Sequence, residues 1–127
     1  MFKSLEVFQT ASAMAAHAGK RQAVIARNIA NADTPGFRAN DIASFATVWK
    51  PGKEAMRATR SEHLHGVFAN QMPRAVPTNG GNVSPNGNSV SLEEEMVKAA
   101  DTDRQHQRAL AIYRSALTVL RSSLGRR

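Results

Sequence analysis

The C-terminal part of the chain carries a long heptad repeat uninterrupted by Pro or Gly. Its seam positions alternate by four and three residues: Leu92, Met96, Ala99, Asp103, His106, Leu110, Tyr113, Leu117, Leu120 and Leu124. This spacing predicts an α-helix over residues 92–124, about 50 Å long. Ser91 and Glu94 fit a capping box at its start, and Gly125 supplies a residue that ends it. So long an amphipathic helix in a chain of 127 residues requires a packing partner.

A second helix is predicted at the N-terminus, from residue 1 to about residue 32. Its apolar stripe is rich in small side chains and consists of Leu5, Phe8, Ala15, Ala18, Ile25 and Ile29. The sequence Thr34-Pro35-Gly36 ends the helix, with Pro and Gly at the central positions of a type II turn. We expect this helix to cover part of the C-terminal seam and to leave apolar surface for other subunits.

The middle of the chain, residues 38–90, lacks a regular pattern. Residues 41–49 fit either one helical turn or a short strand, and periodicity does not decide between them. Residues 77–89 contain only Pro, Thr, Asn, Gly and Ser apart from Val83, which predicts a mobile loop or linker. The predicted fold is therefore mainly α, with a helix in 1–37 and a helix in 91–127 packing as a coiled coil. An irregular, partly disordered segment, 38–90, joins them.

Charge leaves one alternative function open. The net charge of +7 is compatible with a small basic nucleic-acid-binding protein, but the excess is spread over the chain without a basic block. There is no Cys, no apolar run that could span a bilayer, and no recognisable cleavable secretory signal. A protein of this kind that acts outside the cytoplasm would need another export route.

Catalytic patterns are weak. Asn79-Gly80-Gly81 lacks the Lys of a phosphate-binding loop. His63 and His65 could supply two metal ligands of a metal-dependent enzyme, but two loop histidines without a third ligand are the simpler interpretation. Glu93, Glu94 and Glu95 stand where helix N-termini commonly carry carboxylates. We therefore expect no enzyme activity, no cofactor and no metal.

One short run is more specific than these general patterns. It comprises Asn28, Ile29, Ala30, Asn31, Ala32, Asp33, Thr34, Pro35, Gly36 and Phe37. This run resembles the N-I/L-A-N-x-x-T-P-G-Y/F motif of the bacterial flagellar axial family, which includes rod, hook and hook-associated proteins. Residues 59–64 and 86–96 are also similar to segments of proximal-rod members. In the second segment Asn86 replaces the more usual Asp, and further on His106 stands where Tyr is expected.

The resemblance implies a structural subunit of the proximal rod in the flagellar basal body. It implies contacts with copies of itself, with other proximal-rod proteins, with the basal adaptor at the membrane ring and with the flagellar type III export apparatus. It also implies a hollow rod that crosses the periplasm and transmits torque. Binding to nucleic acid and a membrane span are not expected.

Two sets of residues are predicted to serve assembly. The interface set combines the apolar seam with the N-terminal stripe: Leu5, Phe8, Ile25, Ile29, Leu92, Met96, Leu110, Tyr113, Leu117, Leu120 and Leu124. Asp103 and His106 interrupt the seam, and they either fix the register between neighbouring helices or lie on a solvated stretch.

Overall fold

The computed structural model describes residues 2–49, 74–78 and 83–125, with the backbone alone for residues 2–5. Two helices dominate the fold: α1, Phe2–Ala30, and α3, Leu92–Ser123. They run antiparallel, because Asn28 near the end of α1 bonds Glu95 near the start of α3, while Phe8 packs edge-on against Tyr113. The prediction of a mainly α fold with two packed terminal helices is confirmed.

Three buried positions on each long helix recur every seven residues. They are Ala11, Ala18 and Ile25 on α1, and Glu95, Thr102 and Ala109 on α3. Most of these side chains are small, so the two backbones can approach closely. Larger apolar residues remain outside, and Leu92 and Met96 are 49% and 61% exposed. Helix α1 thus covers the predicted seam only in part.

Both ends of α3 carry the predicted signals. The Ser91 hydroxyl accepts a hydrogen bond from the backbone N–H of Glu94 at 3.4 Å, as an N-cap does. At the other end the N–H of Leu124 donates to Leu120, and Gly125 follows with φ of +82°. That left-handed conformation favours glycine and ends the helix.

Residues 31–37 close α1 through a tight turn. The N–H of Phe37 donates to the carbonyl of Thr34 at 3.3 Å, and Gly36 has φ of +72°. These are the features of a type II turn with Pro35 and Gly36 at its centre, as predicted.

The segment after this turn returns along α1. It forms strand β1, Asn40–Asp41, and the short helix α2, Phe45–Val48. Thus both of the alternatives for residues 41–49 occur, one after the other. Strand β1 pairs antiparallel with β2, Val76–Pro77.

One prediction about the middle segment is wrong. Residues 83–89 were expected to form a mobile loop, yet Asn88 is 1% exposed and the Ser84–Asn88 turn is closed by two backbone hydrogen bonds of 2.8 Å. The composition argument failed because it counted only apolar burial, whereas this turn is held by polar groups that bond the end of α1. Residues 79–82 lie outside the described residues.

Candidate assembly site

Asn28 joins three parts of the fold. Its amide donates to the carbonyl of Asn40 at 2.7 Å and accepts from the Asn40 N–H at 3.1 Å. The same amide nitrogen donates to the Glu95 carboxylate at 2.9 Å, and no part of Asn28 is exposed. Only an amide side chain offers a donor and an acceptor in this arrangement. Asn28 therefore fixes β1 and the start of α3 against the last turn of α1.

Glu95 differs from its two acidic neighbours. It is 1% exposed, whereas Glu93 and Glu94 are exposed. Its carboxylate accepts from Asn28 and, at 2.7 Å, from the ammonium of Lys98. A buried carboxylate is tolerated only when it is paired and hydrogen-bonded in this way. The interpretation of all three as ordinary helix-end carboxylates was wrong for Glu95.

Asn88, like Glu95, is a residue of the site that lies outside the motif. Its amide nitrogen lies 2.9, 2.7 and 2.9 Å from the carbonyl oxygens of Asn31, Ala32 and Thr34. These carbonyls follow the last turn of α1, beyond the helical hydrogen bonds; those of Asn31 and Thr34 also accept from the backbone N–H groups of Thr34 and Phe37. The available signal was its position in the segment 86–96 that resembles rod proteins. We call Asn28, Asn88 and Glu95, with the backbone groups they bond, the junction.

The remaining motif residues shape the end of α1. The Asn31 amide donates to the carbonyl of Arg27 at 2.8 Å, and the Thr34 hydroxyl donates to Asn31 at 3.2 Å. Gly36 donates its N–H to the carbonyl of Asn86 at 3.0 Å. Ile29 and Phe37 are half-buried, whereas Ala30, Pro35 and Gly36 are exposed. The motif is therefore divided between residues that hold the junction and residues that face outward.

An ion pair fastens β1 to α1 beside the junction. The Arg21 guanidinium donates two hydrogen bonds of 2.9 Å to the Asp41 carboxylate. Burial raises the pKa of Asp41, but the hydrogen bonds from Arg21 and from the Ile42 N–H and the charge of Arg21 outweigh it, so the net pKa is lowered. The hydrogen bond to Asp41 likewise raises the pKa of Arg21.

An aromatic group extends this attachment. The His17 ring, 3% exposed, has its Nε2 2.9 Å from the carbonyl of Ala43 and packs edge-on against Phe45. Phe45 in turn stacks on Trp49 with ring centroids 5.4 Å apart. These contacts hold α2 against α1.

Some of the predicted interface residues are buried or half-buried in the structure, and others are exposed. Ile25 is buried, and Phe8, Ile29, Leu117 and Leu120 are half-buried. The exposed members are Leu92, Met96, Leu110, Tyr113 and Leu124. The side chain of Leu5 lies outside the described residues. Their role in assembly stays a prediction.

Asp103 and His106 lie at the edge of a shallow groove between the two helices. Asp103 is exposed and accepts a hydrogen bond of 2.7 Å from Gln107. His106 is half-buried, and its Nδ1 has no partner among the described residues. Small residues of α1, including Ala18 and Gly19, line the other wall. A role of Asp103 and His106 in register also stays a prediction.

No group of three or more His, Asp or Glu side chains that could hold a metal is found in the part of the chain that the structure describes. His63 and His65, and with them the similar segment 59–64, lie outside the described residues. None of the described helices is both long enough and apolar enough to cross a bilayer.

Comparison with known proteins assigns the family. The family described as "Flagella basal body rod protein" matches residues 9–38, which include the motif. A flagellar basal body rod protein FlgB of Agrobacterium fabrum is 33% identical over 116 residues, covering 87% of each chain. The FlgB protein of Salmonella typhimurium is 33% identical over 77% of this chain and 78% of its own length. That of Escherichia coli is 32% identical over 72% and 73%.

The chain belongs to the FlgB family of flagellar basal-body rod proteins. It therefore has a structural role in the flagellar rod and is placed in the basal body together with other rod proteins. In this family member the motif and the segment 86–96 meet at the junction, although 48 residues lie between Phe37 and Asn86 in the sequence.

Proposed function

We propose that this rod protein polymerises through its terminal helices into the proximal rod, the hollow drive shaft that transmits torque across the periplasm. Its neighbours would be copies of itself, other proximal-rod proteins and the basal adaptor at the membrane ring. It would reach this position through the flagellar type III export apparatus, without a cleaved signal peptide. The observation that carries the proposal is the number of exposed apolar side chains along α3.

The exposed residues in the second half of α3 are the strongest support. Leu110, Ile112, Tyr113 and Val119 are 37%, 40%, 40% and 63% exposed. Single exposed apolar residues are normal in monomers, but several on one helix favour an interface. Each Leu that a neighbour buried fully would contribute about 1.5–3 kcal/mol, so a few such residues would be enough to stabilise an assembly.

The junction suits a subunit that bears mechanical load. Asn28 and Glu95 couple α1 to α3 through a buried hydrogen bond of 2.9 Å. An apolar contact tolerates sliding, whereas a directional bond between buried groups is lost if the helices shift by one position. We infer that the junction keeps the two helices in one register when neighbouring subunits transmit torque.

Substitution on the seam tests the proposal. We expect Leu117→Asp to abolish incorporation into basal bodies and swimming in cells that lack their own copy of the gene, with expression unchanged. Leu117 is half-buried, so the experiment includes Leu110→Asp, whose site is 37% exposed and whose change disturbs the monomer less. Ser115→Asp, at an exposed polar position of the same helix, is the matched control.

Isolated basal bodies and swimming on soft agar provide the measurements. Loss of incorporation in both leucine variants, with normal behaviour of the Ser115 variant, would support assembly through this face. Normal basal bodies and motility in the Leu110 and Leu117 variants would contradict it.

A further inference from the structure

The antiparallel helices α1 and α3 form a helical hairpin, and the net charges of its two ends differ. The end that contains the junction consists of residues 16–49, 74–78 and 83–105 and has seven basic and seven acidic side chains. The opposite end, which we call the open end, consists of residues 6–15 and 106–124. Its charged residues are Glu6 and three arginines, Arg108, Arg114 and Arg121. Within the described residues, the net positive charge therefore lies at the open end, whereas the charges of the junction end cancel.

The three arginines are available for contact. Arg108, Arg114 and Arg121 are exposed, and none of them forms an ion pair with another described residue. By contrast, at the junction end Asp101 pairs with Arg104 at 2.8 Å. No acidic residue follows Asp103 in the sequence, so α3 places no carboxylate within one turn of any of the three arginines.

Each arginine stands one helical turn from an apolar residue that is exposed or half-buried. Arg108 precedes Ile112 by four residues, Arg114 follows Leu110 by four, and Arg121 follows Leu117 by four. Residues four apart lie on the same side of a helix. The open end therefore presents three apolar side chains, those of Leu110, Ile112 and Leu117, each with a positive charge one turn away.

The shape of this surface favours a protein helix over a membrane. Leu110 and Val119 are both exposed but lie nine residues apart, about two and a half turns, and so point to opposite sides of α3. A flat lipid surface would cover only one side. Helical neighbours can pack on both sides, as they do in a bundle.

We propose that the open end binds an amphipathic helix of a different protein, one that carries carboxylates one turn away from its apolar residues. A second copy of this chain fits less well, because its exposed acids at the junction end lie beside an equal number of basic groups. This inference rests on the proposed function, since it assigns the chemistry of one neighbour in the assembly. It adds that this neighbour is acidic.

Charge reversal tests the inference. The variant combines Arg108→Glu, Arg114→Glu and Arg121→Glu. The matched control combines Lys20→Glu, Arg27→Glu and Arg38→Glu, which reverse three exposed charges at the junction end. The probes are two synthetic amphipathic helices of four heptads with the same leucine stripe, one flanked by Glu and the other by Lys.

Fluorescence anisotropy of the labelled helices gives the affinities. We expect the acidic helix to bind the wild-type protein and the control variant, and to bind the arginine variant at least about 10-fold more weakly, because several exposed ion pairs are lost together. The preference should decrease as salt is raised. The basic helix should bind the arginine variant better than the wild type, a gain that a merely unfolded variant would not show.

Competing ligands and cells complete the test. Equal binding of the acidic helix to the wild type and the arginine variant would overturn the inference. The inference would also be overturned if the protein bound phosphatidylglycerol vesicles, a DNA duplex or a second copy of the chain more tightly than the acidic helix, and if that binding depended on the three arginines. If the arginine variant assembles and swims normally while the leucine variants do not, this inference fails and the proposed function stands. If the leucine variants also swim, the proposed function fails.

Discussion

Asn88 gives the most direct test of the junction. Its amide nitrogen faces three carbonyl oxygens at 2.7–2.9 Å, and its Oδ1 accepts from the Val90 N–H at 2.7 Å. Asn88→Asp keeps the shape of the side chain but replaces the donor with an oxygen. The three carbonyls then lose this donor and face a carboxylate at close range, although those of Asn31 and Thr34 keep a backbone N–H donor. We therefore expect this substitution to destabilise the fold strongly.

The magnitude follows from the number of bonds lost. The amide has two hydrogens to donate, and a net hydrogen bond is worth about 0.5–1.5 kcal/mol, with more lost when a buried partner stays unsatisfied. We expect Asn88→Asp to lower the free energy of unfolding by about 2–4 kcal/mol. For a chain of this size this corresponds to a decrease in melting temperature of about 10 °C.

The same substitution two residues earlier is the control. The Asn86 side chain accepts a hydrogen bond from the Asn88 N–H at 3.0 Å and is exposed. Because a carboxylate accepts as well as an amide oxygen does, Asn86→Asp should change stability by less than about 0.5 kcal/mol.

Urea unfolding followed by circular dichroism at 222 nm measures both variants. The fluorescence of Trp49, the one tryptophan of the chain, gives a second signal from the segment that docks on α1. A stability of the Asn88 variant within about 0.5 kcal/mol of the wild type would refute the donor role of Asn88 and with it the importance of the junction.

Two further predictions concern neighbouring groups. The pKa of Asp41 in the folded protein is below its usual value of 3.8. Its pairing with Arg21 therefore stabilises the fold above about pH 4, and this stabilisation is lost as the pH falls through the lower pKa of the folded state. Asp41→Asn should flatten the pH dependence of the melting temperature in acid, and an unchanged slope would contradict this. Gly36 and Gly87 both have positive φ, and a Cβ on either would meet no closer neighbour than the Gly36 Cα, 3.4 Å from one on Gly87. Because the backbone conformation is then the main cost, Gly36→Ala and Gly87→Ala should each lower stability by about 1–2 kcal/mol in thermal unfolding. Unchanged melting temperatures would contradict this.

The two terminal helices were predictable because their signals are local. The heptad spacing, Ser91, Gly125 and the Thr34–Phe37 turn each act within a few residues, and the structure agrees with all of them. The face that α3 turns toward α1 was harder to predict. Glu95, Thr102 and Ala109 form the buried row, and a hydropathy pattern ranks two of these three residues as polar.

The junction could not be predicted from local patterns, because its partners are distant in sequence. Asn28 bonds Glu95, 67 positions away, and Asn88 bonds carbonyls 54–57 positions away. An asparagine in a stretch of Pro, Gly, Asn and Ser carries the sequence signature of a loop. Only the resemblance of residues 86–96 to rod proteins indicated that this stretch had a defined role.

The two ends of the hairpin differ in how their polar and charged groups are used. At the junction end, polar side chains satisfy one another and the charges balance, so the surface left for a partner there is the apolar one of Leu92 and Met96. At the open end, Phe8 and Tyr113 make one aromatic contact across the hairpin, while Leu110, Val119 and three arginines stay exposed. A subunit that bonded all of these groups internally would gain stability as a monomer and would lose the surface with which a rod could be built. This trade-off supports the proposal that the exposed groups are contacts for assembly.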